Sequence, residues 1–170
     1  MTECEWLVRP EEPGDVEAVR MVIRSAFETS DEADLVDRLR TDPAWVPGLS
    51  YVACAPDARV VAHALLTRCH IGDVPALCLA PCAVLPGAQR RGAGAAVIGA
   101  LLHAAGALGE RFVVVLGHPG YYPRFGFEPA IPQGIRLSID VPADALMVTA
   151  LDDAGPLPTG VVRYAEPFGI

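Results

Sequence analysis

Several features common in other proteins are missing from this chain of 170 residues. It contains no lysine, so its 13 basic residues are all arginine, and no G-x-x-x-x-G-K-S/T phosphate loop is present. Its five cysteines include no Cys-x-x-Cys pair, which argues against both a disulfide framework and a bound metal. No apolar run reaches the roughly 18 residues of a membrane-spanning helix, and the N-terminus lacks a signal run. These absences predict a soluble cytoplasmic protein with no metal and no membrane partner.

The net charge of -8 is distributed unevenly along the chain. Residues 1–60 hold thirteen acidic residues against six arginines, whereas residues 89–136 hold five arginines against Glu110 and Glu128. A net-negative protein repels the backbone of a nucleic acid, yet a locally basic segment can bind one small anion. We therefore expect no DNA or RNA partner. The acidic residues of the segment 31–37 are expected on a solvated helix face, and their alternative role is to attract a cationic amine.

The length of the chain is that of one domain, residues 1–170. Antiparallel strands are followed by one strand, helix, strand unit, whose two strands are expected to run parallel. The sequence thus predicts an α/β (α+β mixed) fold with a mixed, mostly antiparallel central sheet and helices on both faces. The predicted strands cover residues 5–9, 49–55, 60–69, 76–85, 112–116, 136–141 and 145–151, and the predicted helices cover residues 15–27, 29–40 and 97–108.

A glycine-rich turn, QRRGAG at residues 89–94, lies between a predicted strand and a very apolar helix. The first N–H groups of a helix have no partner within it and its N-terminal end is positive, so this turn is suited to bind phosphate. Glycine lets a ligand approach the backbone, and the guanidinium groups of Arg90 and Arg91 match phosphate oxygens. The alternatives are a structural turn or another nucleotide, although the spacing departs from the dinucleotide fingerprint G-x-G-x-x-G/A.

Pro81 lies in the middle of the predicted strand 76–85. Proline has no N–H, so it interrupts the hydrogen bonds of a fully paired strand. We expect a bulge or a splay there, with the parallel strands 76–85 and 112–116 diverging beyond it. The N–H groups of Cys82 and Val84 would then be free to pair with another group.

An aromatic cluster, GHPGYYPRFGF, occupies residues 117–127. Tyr121 and Tyr122 could both be core aromatics beside the phenylalanines of this segment. His118 lies next to the expected mouth of the splay. It could accept a proton from an amine, directly or through water, or it could only orient Tyr122.

Two of these segments carry a resemblance to a known family. Residues 89–94 match the acetyl-CoA signature Q/R-x-x-G-x-G/A of the GNAT superfamily of N-acetyltransferases, and residues 122–127 resemble its Tyr-x-x-x-Gly-Phe segment. The sequence of the aromatic cluster is similar to that of the bacterial YhbS-like branch. The resemblance implies a GNAT-like fold and an acetyl-CoA-dependent N-acyltransferase that transfers acetyl to a primary amine of a small molecule or protein in a ternary complex. Many members of the superfamily form homodimers, which this chain could also do.

The resemblance also implies roles for individual residues. The pantetheine arm of the cofactor would dock on the strand end like an added strand, and the Val84 amide would stabilise the carbonyl oxyanion. Tyr122 would be the general acid that protonates the departing thiolate. The implied cofactor-binding residues are Cys82, Ala83, Val84, Gln89, Arg90, Arg91, Gly92, Ala93 and Gly94.

This chain also departs from the superfamily pattern. Many members place an asparagine just after the strand that corresponds to residues 112–116, but this sequence contains none, so that cofactor contact is not carried over. A second interpretation is a non-catalytic acyl-CoA-binding sensor module with structural tyrosines, and a third is a dinucleotide-binding reductase domain. We expect His63 to be a core histidine and Cys82 to be a packed thiol rather than a nucleophile.

Overall fold

The computed structural model describes residues 6–153 and 155–170. The three predicted helices and the predicted strands other than 136–141 are present. The strand 112–116 has its predicted bounds, the bounds of the others are shifted, and residue 5 of the first predicted strand lies outside the described residues. The strands are β1 (Leu7–Pro10), β2 (Trp45–Cys54), β3 (Val60–Ile71), β4 (Val74–Val84), β5 (Phe112–Leu116), β6 (Glu128–Pro129), β7 (Ile135–Arg136), β8 (Leu146–Ala150) and β9 (Gly160–Arg163). The helices are α1 (Val16–Ala26), α2 (Asp31–Arg40) and α3 (Ala93–Ala107).

Within the described residues the strands form one mixed sheet in the order β1-β2-β3-β4-β5-β8-β6, with β9 beside β3 and β7 beside β9. Strands β1 to β4 pair antiparallel in chain order, and β5 pairs antiparallel with β8. Strands β4 and β5 are parallel because the crossover through α3 returns the chain in the same direction. This arrangement confirms the predicted mixed, mostly antiparallel sheet.

Helices cover both faces of the sheet, as predicted. Helix α3 packs on one face, where Val97, Ile98 and Leu101 are buried against β2 and β3. Helices α1 and α2 pack on the opposite face through residues that include Ile23 and Val36. Full burial of an aliphatic side chain contributes roughly 1.5–3 kcal/mol, so apolar packing is the main attachment of both helix layers.

One predicted strand is wrong. In place of residues 136–141, only Ile135–Arg136 is extended, as β7. Ile135 and Leu137 are buried but Ile139 is 45% exposed, so the alternation does not continue into the core. The end of β3 is instead paired with β9, which the sequence analysis missed because the segment 152–160 before it is rich in aspartate, glycine and proline.

The sheet opens between β4 and β5. The two strands pair at two register positions, the second of which joins Cys78 to Val114, and the rest of β4 has no pairing with β5. On its other edge, β4 shifts register against β3 between Leu79 and Cys82, so that one extra residue is accommodated around Pro81. The bulge and the splay that Pro81 predicted are therefore both present.

Candidate active site

A cavity of about 900 Å³ lies at the opening between β4 and β5. The end of α1, the end of β4, the glycine turn with the start of α3, and the segment after β5 surround it. The predicted site residues that line this cavity are Cys82, Ala83, Val84, Gln89, Arg90, Gly92, Gly94, His118 and Tyr122. The fold thus brings together two motifs that are about thirty residues apart in the sequence.

The glycine turn presents unpaired backbone N–H groups. Arg90 and Gly92 have left-handed φ angles of 64° and 87°, which glycine adopts freely and which cost an arginine roughly 1–2 kcal/mol. Gly92 is the N-cap of α3, whose start has no side-chain cap hydrogen bond. The N–H of Ala96 donates to the Gly92 carbonyl at 2.9 Å, so the N–H groups before it have no partner within the helix. This end of α3 therefore carries partial positive charge towards the cavity.

Two side chains hold the turn in place. Trp6 Nε1 donates to the carbonyl oxygen of Arg91 at 2.9 Å, and Gln89 Nε2 donates to that of Val84 at 3.3 Å. Arg91 and Ala93 do not line the cavity, and Ala93 is buried against the sheet, so the side chain of Ala93 has no access to a ligand. The sequence analysis missed Trp6 because it is 85 residues away from the turn that it contacts.

The end of β4 presents a free backbone edge. The N–H of Leu85 donates to the Val61 carbonyl of β3 at 2.8 Å. Successive N–H groups of a strand point to opposite edges, so those of Val84 and Cys82 point away from β3 and into the opening. An extended ligand at this edge would find the donors that the sequence predicted.

Gly94 lies where β4, α3 and the aromatic cluster meet. A Cβ atom at this position would lie 3.2 Å from Val84 Cγ2 and 3.3 Å from the hydroxyl oxygen of Tyr121. Both distances are shorter than an ordinary van der Waals contact, so a side chain here would push its neighbours apart. The missing side chain allows the three elements to converge at the cavity.

Tyr122 lies beside Cys82 in a desolvated part of the cavity. Burial raises the pKa of Tyr122, and the neighbouring Cys82 thiol acts in the same direction. Burial also raises the pKa of Cys82 to about 12. Both groups are therefore protonated at neutral pH, which leaves the tyrosine a proton to donate and makes Cys82 a poor nucleophile.

His118 is exposed and lines the cavity beside the tyrosines. Its carbonyl oxygen accepts hydrogen bonds from the N–H groups of Tyr121 at 3.1 Å and Tyr122 at 3.4 Å. Its imidazole forms no hydrogen bond with another residue that the structure describes. His118 thus shapes the turn that carries Tyr122 through its backbone, and its side chain is available to a ligand.

The aromatic cluster and the glycine turn also agree with a family of known proteins. Residues 16–127 match the model of the Acetyltransferase (GNAT) family. The chain belongs to the GNAT family. The matched range extends from the first residue of α1 to Phe127 and includes every predicted site residue.

Relatives of similar length resemble this GNAT protein from end to end. It is 35% identical to the uncharacterized N-acetyltransferase YjhQ of Escherichia coli (strain K12), over 98% of this chain and 96% of that protein. The crystal structure of E. coli YhbS in complex with CoA matches with a TM-score of 0.90 and 28% identity, over 100% of this chain and 95% of the other. A GNAT family acetyltransferase from Brucella melitensis in complex with acetyl-CoA matches with a TM-score of 0.80 and 29% identity, over 96% and 98%.

Other candidate groups of this GNAT chain lie outside the cavity. His63 is fully buried, with Nε2 2.8 Å from Ser50 Oγ, and is a core histidine as predicted. Asp34 and Asp37 of the acidic segment form ion pairs with Arg20, and their side chains are 54% and 42% exposed to solvent. Among the described residues there is no cluster of side chains that could hold a metal ion, and no helix is long and apolar enough to cross a membrane.

Arg124 is a cavity residue that the sequence analysis did not select. It lies in the GNAT Tyr-x-x-x-Gly-Phe segment at a position that the pattern leaves variable, so the pattern carried no signal for it. A charged residue among aromatics was the available clue. Ala26 and Phe27, at the end of α1, also line the cavity and were not selected.

Proposed function

We propose that this GNAT protein transfers an acetyl group from acetyl-CoA directly to a primary amine in a ternary complex. One observation carries the proposal: the uncapped start of α3, the free edge of β4 and Tyr122 border the same cavity. The first two suit a phosphate-bearing ligand with an amide arm, and the third supplies an acid. The relatives crystallised with CoA and acetyl-CoA support this choice of co-substrate.

Acetyl-CoA would bind along the glycine turn and the end of β4. The N–H groups at the start of α3 and the guanidinium of Arg90 would hold the diphosphate. A Cβ at Gly92 would meet no atom within 4 Å, so this residue leaves open space for phosphate oxygens. The pantetheine arm would run along the free edge of β4 as an added strand does, with one of its amides paired with Val84 and the thioester reaching Cys82.

The proposed reaction forms one bond and breaks one. The amine nitrogen attacks the thioester carbonyl carbon, and the carbonyl oxygen accepts a hydrogen bond from the N–H of Cys82 while it carries negative charge. Cys82 takes this role in place of Val84 because it lies beside Tyr122 and farther from the glycine turn. The C–S bond then breaks and the sulfur takes the proton of Tyr122, while the amine releases its proton to a base. Proton exchange with solvent afterwards restores Tyr122 and the base to their starting states. The products are the N-acetylated amine and CoA.

The raised pKa of Tyr122 is compatible with its role as the acid. An aliphatic thiol in water has a pKa of about 8.5. At this place in the protein, however, burial raises the pKa of the Cys82 thiol to about 12. A thiolate released beside Tyr122 is made more basic by the same loss of water, so the proton moves between groups of similar strength.

The amine must lose a proton, and the cavity offers few groups to accept it. The described residues that line the cavity include no carboxylate and one imidazole, that of His118. We therefore assign proton acceptance to His118, directly or through a water molecule. Its exposure and the free imidazole support this assignment.

Thiol release from acetyl-CoA in the presence of a panel of primary amines tests the proposed function. We expect turnover by the wild type and a kcat about 100-fold lower for Tyr122→Phe, with CoA still bound. Tyr164→Phe removes a hydroxyl from a half-buried tyrosine outside the cavity, so it should keep wild-type activity. Binding of CoA without turnover on any amine would favour the sensor module. Displacement of acetyl-CoA by NAD or NADP in a thermal-shift titration would favour the reductase domain.

A further inference from the structure

Tyr121 and Tyr122 are adjacent in the chain but contact different sides of the cavity. Their ring centroids are 5.1 Å apart and the ring planes meet at 85°. Tyr122 lies beside Cys82 of β4. The hydroxyl oxygen of Tyr121 is at the start of α3, 3.3 Å from where a Cβ of Gly94 would be. The Tyr121 hydroxyl is therefore next to the uncapped N–H groups of the glycine turn.

The Tyr121 hydroxyl is a donor without a partner. It forms no hydrogen bond with any residue in the described part of the chain, although the side chain is half-buried and lines the cavity. Burial raises the pKa of Tyr121, so the hydroxyl carries its proton at neutral pH. A half-buried donor that faces a cavity is suited to bind an acceptor atom of a ligand.

Arg124 is held against Tyr121 in a defined position. Its Cζ lies 4.3 Å from the centroid of the Tyr121 ring, and its Nε donates to the Tyr121 carbonyl oxygen at 2.8 Å. Its two terminal nitrogens form neither an ion pair nor a hydrogen bond within residues 6–153 and 155–170. Arg124 thus brings an unpaired, oriented cation to the wall of the cavity.

We propose that Tyr121 and Arg124 form a clasp that holds the diphosphate of CoA together with the N–H groups of the glycine turn. The diphosphate would contact the start of α3, the guanidinium of Arg90 and the two side chains of the clasp, all of which border the same cavity. The two negative charges of a diphosphate then meet two guanidinium groups, in addition to the helix end. This inference rests on the proposed function in that CoA is the ligand. It assigns the adjacent tyrosines to separate tasks, Tyr121 to binding and Tyr122 to proton transfer.

Calorimetric titration of the purified protein with CoA tests the clasp without any acceptor amine. We expect Arg124→Gln to raise the Kd of CoA about tenfold or more, because it removes charge-assisted hydrogen bonds. Tyr121→Phe, which keeps the ring but removes the hydroxyl, should raise it about threefold. Arg136→Gln is the matched control, since Arg136 is exposed on β7 outside the cavity and its side chain has no partner among the described residues. It should leave the Kd unchanged.

Dephospho-CoA, which lacks the 3′-phosphate but keeps the diphosphate, locates the contact. The loss of affinity caused by Arg124→Gln should be the same for CoA and dephospho-CoA. It should disappear for pantetheine, which carries no phosphate. Increasing salt should weaken CoA binding less in Arg124→Gln than in the wild type, because one charge interaction is gone. If Arg124→Gln weakens the binding of CoA but not of dephospho-CoA, Arg124 contacts the 3′-phosphate and the clasp is wrong.

The remaining outcomes separate the clasp from the proposed function. If Arg124→Gln binds CoA as tightly as the wild type, the clasp is wrong while the acetyltransferase proposal stands. If the wild type does not bind CoA, both fail. In steady-state kinetics the clasp variants should change the KM for acetyl-CoA more than kcat, whereas Tyr122→Phe should change kcat more than KM. A larger effect of Tyr121→Phe on kcat would assign the acid to Tyr121 instead.

Discussion

The ring of Tyr122 packs directly on the backbone of Gly117, so closely that a Cβ on this glycine would lie 2.5 Å from the ring carbon Cε2. Gly117 is the first residue after β5, the strand that forms one side of the opening. No side chain fits between the strand end and the ring at this distance. The position of the proposed acid is thus determined by a residue that itself performs no chemistry.

Gly117→Ala should therefore displace the ring of Tyr122. We expect kcat to fall roughly 10- to 100-fold, because a displacement of about 1 Å is enough to spoil proton transfer. CoA affinity should change little, since β4 and the glycine turn are not touched. Gly87→Ala adds a Cβ with no atom within 4 Å and should behave as the wild type in the thiol-release assay. A Gly117→Ala protein with wild-type kcat would contradict the assignment of Tyr122 as the acid.

The glycine turn should show opposite stability effects at two neighbouring positions. Arg90 has a left-handed φ angle of 64°, so Arg90→Gly should raise the free energy of unfolding by about 1 kcal/mol. Gly92 has a φ angle of 87°, so Gly92→Ala should lower it by about 1 kcal/mol. Both changes should weaken CoA binding, the first by loss of the guanidinium and the second by distortion of the turn. Urea unfolding and calorimetric titration measure the two effects separately, and equal stability shifts of the same sign would refute this account.

The buried His63 should make the protein less stable in mild acid. Burial lowers its pKa from 6.5 to about 4, with Glu11 opposing the shift and Arg40 adding to it. Above pH 6.5 the imidazole is neutral in both states, and its effect on stability is constant. As the pH falls from 6.5 towards 4, the unfolded chain binds a proton that the folded protein resists, so stability is lost. The full loss is on the order of 3 kcal/mol.

Urea unfolding at several pH values between 4 and 7.5 (roughly the range of histidine titration) measures this loss. His63→Gln keeps an amide next to Ser50 but cannot titrate, so the pH dependence of its unfolding free energy should be flatter over this range. Asp15, whose pKa is lowered by its hydrogen bond with Arg9, contributes equally to both proteins and cancels in the comparison. Parallel pH profiles for the wild type and His63→Gln would show that the histidine is not responsible.

Cys82 should not carry the acetyl group. Its thiol is protonated at neutral pH because burial raises its pKa to about 12, so Cys82→Ala should keep kcat within about tenfold of the wild type. The absence of lysine makes intact-mass spectrometry a sharp readout, since no lysine side chain can add an acetyl group of its own. Wild type mixed with acetyl-CoA alone should show no acetyl adduct on Cys82. An adduct there, together with an inactive Cys82→Ala, would require a covalent route.

The parts of the site that depend on local chemistry could be predicted from the sequence. The turn at residues 89–94 needs only its glycines and a following helix, and the bulge needs only the missing N–H of Pro81. The contact of Trp6 with Arg91 and the stacking of Arg124 on Tyr121 depend on how distant or variable residues meet in the fold. A sequence pattern holds no information on such approaches.

The errors in the fold have a similar cause. Arg136 begins a segment with the composition of a strand, but Ile139 finds no partner strand and remains 45% exposed. Strand β9 has only four residues and gains its place by pairing with the end of β3. Tertiary pairing therefore overrode local β-propensity in both cases.

The short β4 and β5 pairing divides the sheet into two parts, β1 to β4 with β9 and β7 on one side and β5, β8 and β6 on the other. A ligand that pairs with the free edge of β4 supplies hydrogen bonds that β5 does not make there. Binding of the ligand therefore stabilises the folded state. At a ligand concentration 100 times its Kd, the folded state gains about 2.7 kcal/mol. If acetyl-CoA is the ligand, as proposed, the chain would spend more time open to proteases when acetyl-CoA is scarce, and its lifetime in the cell would follow the supply of this ligand.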